Sequence, residues 1–128
     1  MEAEPYKVLH HDLGYVEAGC SGFVEEQKFR QWGETILRFA QQKGVSRLLI
    51  DLQDLKVLRP GNQIFIREEW FPEALERGIS RFAILEPTNF FGNASVKQAV
   101  DLAPELFEKV EFEYFLQREA AEDWLLGK

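Results

Sequence analysis

The chain is poor in cysteine, in histidine, in basic residues and in long apolar runs, and each shortage removes a class of function. Cys20 is its single cysteine, so an intramolecular disulfide and a cysteine-based zinc site are both excluded. His10 and His11 are the two histidines. Neighbours on a strand point to opposite faces, so they are read as strand residues and not as a chelating pair, and no metal is expected. Lys and Arg number 15 against 22 acids, a net charge of −7. That deficit argues against nucleic acid, whose phosphates need a basic field, and against an anionic membrane surface. No apolar run approaches the roughly 18 residues that would span a bilayer, and Met1–Pro5 is too polar to open a signal peptide, so the expected location is the cytoplasm. P-loop, dinucleotide and Gly-x-Ser-x-Gly signatures are missing too.

What is present suits one globular domain. A chain of 128 residues is long enough to bury about two-thirds of its unfolded surface without a staple. Hydrophobic residues make up 45% and charged residues 29%, the balance of a folded protein. Phenylalanine occurs eleven times, and at roughly 150–250 Å² buried per aromatic ring this supplies a core with some surplus for an interface.

Alternation from Tyr6 to His11, turn chemistry at Asp12-Leu13-Gly14 and a second alternating run from Tyr15 to Cys20 predict a hairpin, with Val16, Ala18 and Cys20 on one face. Gly19 and Gly22 suggest a bend at its end. From Val24 the spacing of Phe29, Trp32, Ile36, Leu37 and Ala40 predicts a helix through Lys43, stopped by Gly44. Gly33 inside it costs about 1 kcal/mol relative to Ala, which points to close packing there. Arg47–Leu52 and Arg81–Glu86 are short apolar runs that suit central strands. Between them, Lys56–Asn62 reads as a loop. A helical region carrying Ile64, Phe65, Trp70 and Phe71 follows it, expected to break at Pro72 and to end at Gly78. Thr88–Gly92 reads as a loop, and Ala94 to about Phe107 as a helix with Val96, Ala99, Val100, Ala103 and Leu106 on one side. Val110–Phe115 is a strand with one wet face, and Gln117–Leu126 a short closing helix. The fold class is therefore α/β, a mixed five-stranded sheet with amphipathic helices in the order β-β-α-β-α-β-α-β-α.

The Gly22-Phe23 step, the strand Leu48-Leu49-Ile50-Asp51, the run Gly78-Ile79-Ser80-Arg81-Phe82-Ala83 and the tail Phe115, Ala121, Trp124-Leu125 together resemble the SpoIIAA-like branch of the STAS superfamily along almost the whole chain. The resemblance implies a single STAS-like domain. In the anti-sigma antagonists of that superfamily a serine at the start of the helix after the third strand is phosphorylated. Here Arg59-Pro60-Gly61-Asn62 stands in that place, after Asp51 and Asp54, and offers no hydroxyl. A phosphate would be well held at a helix N-terminus, but Pro60 has nothing to modify. The shared build with CRAL-TRIO domains implies an apolar small molecule or lipid as an alternative ligand, by analogy of fold.

Asp51 and Asp54 end a parallel strand, where open sheets bind ligands. A general base or an Mg²⁺ ligand fits that position, and so do a helix or loop cap and a turn; the second pair of roles is the one expected. Cys20 has no base beside it and reads as buried and inert. Between Glu105 and Asp123 seven acids face two bases, which reads as a solvated face or as a docking patch for a basic partner. Trp32, Trp70, Phe71, Phe90 and Phe91 lie off the strands and mark an interaction or ligand patch. The expected function is a non-enzymatic protein-interaction domain without a cofactor, with a protein partner or a second copy in a homodimer. The alternative is a carrier or sensor of an apolar molecule held between helices and sheet.

Overall fold

The computed structural model describes residues 6–101 and 104–127. Strands β1 (Tyr6–His11) and β2 (Tyr15–Cys20) form the expected antiparallel hairpin. The chain then runs through β3 (Gly22–Phe23), α1 (Glu26–Lys43), β4 (Arg47–Asp51), β5 (Leu55–Val57), α2 (Pro60–Phe65), a π-helical turn (Ile66–Trp70), α3 (Phe71–Glu76), β6 (Arg81–Leu85), α4 (Phe90–Ala99), α5 (Pro104–Phe107), β7 (Glu111–Phe115) and α6 (Arg118–Leu125). The main sheet has the order β1-β2-β4-β6-β7, with every pair after the hairpin parallel.

That order explains the layering. Each parallel strand is added on the same side of the last, so crossovers of one hand place their helices on one face. Val16, Ala18, Leu48, Ile50, Phe82 and Ile84 turn towards this face and pack against α1, α3 and α4. Trp70, Phe71 and Phe82 form a ring cluster with centroids 4.9–5.7 Å apart, and each such pair contributes about 0.5–1.5 kcal/mol beyond its buried area. The alternate residues Tyr15, Leu49, Ala83 and Leu85 point the other way, where Ala121 and Leu125 of α6 cover them. Helix α1 ends where the sequence indicates, with Gly44 left-handed at φ 68°.

Four expectations are corrected. Lys56 and Val57 lie in β5, which pairs with β3 as a second, two-stranded sheet; strands this short carry no alternation to read. Pro72 does not break the helix: the preceding π turn, in which the Phe71 N–H donates to the Ile66 carbonyl, relieves the clash and lets α2 run on into α3. Helix α4 begins at Phe90 and not at Ala94, because Asn89 caps it by accepting from the Gly92 N–H at 2.8 Å. It ends at Ala99, with Pro104–Phe107 a separate short helix; Ala103 lies outside the described residues.

Candidate functional site

The carboxyl ends of the parallel strands carry the molecule's most exposed aromatic surface. Strand β5 lies there between two apolar elements. On one side β3 pairs with it, Phe23 opposite Val57. On the other stands the start of α4, where Asn89 Nδ2 donates to the Leu55 carbonyl at 2.7 Å. Gly92 permits this approach, since a Cβ there would come within 2.7 Å of that carbonyl. The first turn of α4 therefore projects Phe90 and Phe91 outwards, 78% and 72% exposed, with their rings edge-on at 5.5 Å. Phe23 is 71% exposed.

The aromatic residues singled out in the sequence do not act together. Trp32, Trp70 and Phe71 are buried, because helical periodicity turns them inwards. Trp32 Nε1 donates to the Lys7 carbonyl and Trp70 Nε1 to the Gly33 carbonyl, so both indoles are satisfied inside. These three rings, with Phe29 and Phe65, border an apolar cavity of about 50 Å³. Phe90 and Phe91 alone of the set reach solvent. Phe23, exposed beside β5, was not singled out: in sequence it resembles any aromatic at a strand end.

A second constellation lies under α6. Glu17, on the β2 face away from α1, is 3% exposed. Arg118 of α6 grips its carboxylate with two bonds of 2.8 Å, Lys7 Nζ lies at 2.9 Å and His11 Nε2 at 2.8 Å. Burial alone would raise the Glu17 pKa, but hydrogen bonds from Arg118, Lys7 and His11 outweigh it and hold it down at about 2. Arg118 also reaches Asp51 at 3.3 Å, and its own pKa is raised, chiefly by the Glu17 bonds. Tyr15 is pushed up to about 12 by burial and by Glu122, and its ring stacks on His11 at 4.5 Å. Glu17 alternates with Val16 and Ala18 and so reads as a wet-face residue. The helix that covers it arrives only at the far end of the chain.

Asp51 closes β4 and accepts the Gln53 N–H at 3.1 Å, while the Asp54 carbonyl accepts the Gly22 N–H at 2.9 Å. Both line a small polar pocket of about 160 Å³ with Lys7, Cys20 and Ser21. Burial, then Asp51, push the Cys20 thiol up to about 12, so it stays protonated and is a poor nucleophile. Among the described residues no cluster of three His, Cys, Asp or Glu side chains is arranged to hold a metal ion. Arg59 stands at the N-cap of α2 without a side-chain cap bond, and Pro60 is its first residue. The Glu26 carboxylate of α1 lies where a Gly61 side chain would be.

The chain aligns with the unphosphorylated form of the anti-sigma factor antagonist SpoIIAA over 96% of its own length and 97% of the other's, with a TM-score of 0.66 at 12% identity. It has a SpoIIAA-like fold. A second SpoIIAA-like structure, an uncharacterized protein of the DUF3478 family from Shewanella loihica PV-4, covers 98% of both chains with a TM-score of 0.53 at 17% identity. No family model matches the sequence, and no curated protein matches it significantly. The SpoIIAA-like fold is thus carried by layering and strand order, and very little by identical residues. No helix among the described residues is long and apolar enough to cross a membrane.

Proposed function

We propose that this chain is a non-enzymatic protein-interaction domain whose partner, another cytoplasmic protein or a second copy of itself, docks on the aromatic end formed by Phe23, Phe90 and Phe91. The observation that carries this reading is their exposure, the highest of any phenylalanine, tyrosine or tryptophan ring among the described residues, while Trp32, Trp70 and Phe71 are buried. Side chains of this size stabilise a complex when a partner covers them. The SpoIIAA-like fold is consistent with it, since that neighbour is an anti-sigma factor antagonist.

Three groups that an enzyme could use are otherwise engaged. Asp51 and His11 are held in the ion-pair network, and the Cys20 thiol is buried and protonated. Pro60 opens α2 at the position the resemblance gives to the phosphorylatable serine, so docking here is not switched by phosphate at that residue. A cavity of about 50 Å³ is far below the roughly 300–1,000 Å³ of ligand pockets, which favours surface contact over carriage of an apolar molecule.

A photo-crosslinking residue placed at position 90 or 91 in cells tests the proposal. Discrete protein adducts are expected at both positions and not at Arg38, on the outer face of α1. Adducts at position 38 alone, or none at 90 and 91, would overturn it.

A further inference from the structure

We infer that the open edge of β7 is a second binding surface, which takes an extended Lys/Arg-bearing segment of a partner protein as an added strand. Among the described residues strand β7 pairs with β6 alone. The Glu111 N–H donates to the Ser80 carbonyl at 2.8 Å and the Phe115 carbonyl accepts the Glu86 N–H at 3.0 Å. Residues 111, 113 and 115 thus serve the β6 ladder, and the alternation of a parallel strand turns the N–H and C=O of Phe112 and Tyr114 outwards. An unpaired row of this kind is a template for another strand.

The side chains along the edge specify the occupant. On the α6 face stand the exposed Glu111 and Glu113. On the opposite face Phe112 stacks edge-on with Phe107 at 5.7 Å and with Tyr114 at 5.9 Å. An open groove of about 360 Å³ follows the edge, lined by Phe107, Phe112, Glu113 and Trp124. A strand seated there meets carboxylates on one face and rings on the other, which matches alternation of basic and apolar residues.

Charge sets the sign. Arg118 turns inwards to Glu17, and Arg81, stacked 3.8 Å from the Trp124 ring, is taken by Glu111 at 2.7 Å. Among the described residues Glu105, Glu108, Glu113, Glu119 and Asp123 form no ion pair. Two β7 edges facing each other would oppose like charges, so the surface suits a basic partner better than a second copy.

The probe is a synthetic peptide of about ten residues alternating Lys and Val, with a Glu–Val peptide as control. Binding is followed by amide NMR and hydrogen exchange. The Lys–Val peptide is expected to bind, to slow exchange at the Phe112 and Tyr114 amides, and to weaken about tenfold with Glu113→Lys and further with added salt. Because Glu113 is exposed, that variant keeps the fold. Tyr114→Pro, which removes an outward N–H without touching the β6 ladder, gives the same loss. Four results overturn the inference: no binding at about 1 mM peptide, equal binding of the Glu–Val control, binding without protection of those two amides, or a self-associated chain that already protects them.

Discussion

Three polar side chains are buried in the described part of the chain, Glu17, Asn62 and Ser95, and they meet the cost of leaving water in different ways. Ser95 Oγ donates to the Gly92 carbonyl and accepts the Leu58 N–H, both at 2.9 Å. It thereby ties α4 to the loop before α2. Asn62 is less well served: Nδ2 reaches the Val24 carbonyl at 3.4 Å, and Oδ1 has no partner. Asn62→Leu is therefore expected to change stability by less than about 1 kcal/mol or to raise it, whereas Asn62→Asp, which buries a charge, costs more than about 2 kcal/mol. Urea denaturation of the two variants checks this, and equal losses would count against it.

Glu17 is satisfied by side chains from two elements, Lys7 and His11 of β1 and Arg118 of α6, and its titration reports on them. Its folded pKa of about 2 lies below the ordinary 4.5, so between those values the unfolded chain binds more protons than the folded one. The contribution is fully present above pH 4.5 and is lost as pH falls towards 2. Glu17→Gln removes the carboxylate nearest to Arg118 and Lys7 and leaves them the longer contacts, both to Asp51 and Arg118 also to Glu122. It is expected to cost roughly 3 kcal/mol at neutral pH, and the difference from the native chain should shrink as the medium is acidified through that window. A difference constant with pH would contradict the ion-pair account.

At the scale of elements, α1 crosses the π turn and its flanks at Gly33. A Cβ there would meet Trp70 Cδ1 at 3.0 Å and a Phe65 ring carbon at 3.1 Å. Alanine gains about 1 kcal/mol of helix propensity but overpacks a contact whose usual cost is about 1–3 kcal/mol. Gly33→Ala should thus lower stability by about 1 kcal/mol and Gly33→Val by more, read from thermal unfolding; a stabilised alanine variant would show that the crossing yields freely. The need for close packing at Gly33 was legible in the sequence, as were the hairpin, α1, the two central strands and the closing helix, because each carries its own period. The π turn was not legible, since Pro72 reads as a break until the chain around it is seen to widen. Nor were β3 and β5, whose pairing depends on two short segments meeting in space.

At the scale of the molecule, a SpoIIAA-like fold appears at 12% identity to SpoIIAA, because strand order and the burial of alternate residues fix the layers while leaving individual side chains free. The candidate site was only half legible for the same reason. The exposure of Phe90 and Phe91 was legible because adjacent aromatics beside Gly92 are hard to bury together. Trp70 and Phe71 were placed with them because periodicity alone cannot say which face a neighbour will cover. Exposure also separates the two groups experimentally. Phe90→Ser with Phe91→Ser should leave the unfolding temperature nearly unchanged, as surface substitutions within about 0.5 kcal/mol do. Phe71→Ala, in contrast, should cost about 3–5 kcal/mol.

The most direct test of the central claim joins these surfaces to binding in one measurement, photo-crosslinking from position 90 in cells, with and without Phe23→Ser and Phe91→Ser. The account predicts discrete protein adducts that fade in the double-serine chain while the protein remains folded and equally abundant. Adducts of undiminished yield in that chain, or none from position 90 at all, would contradict it.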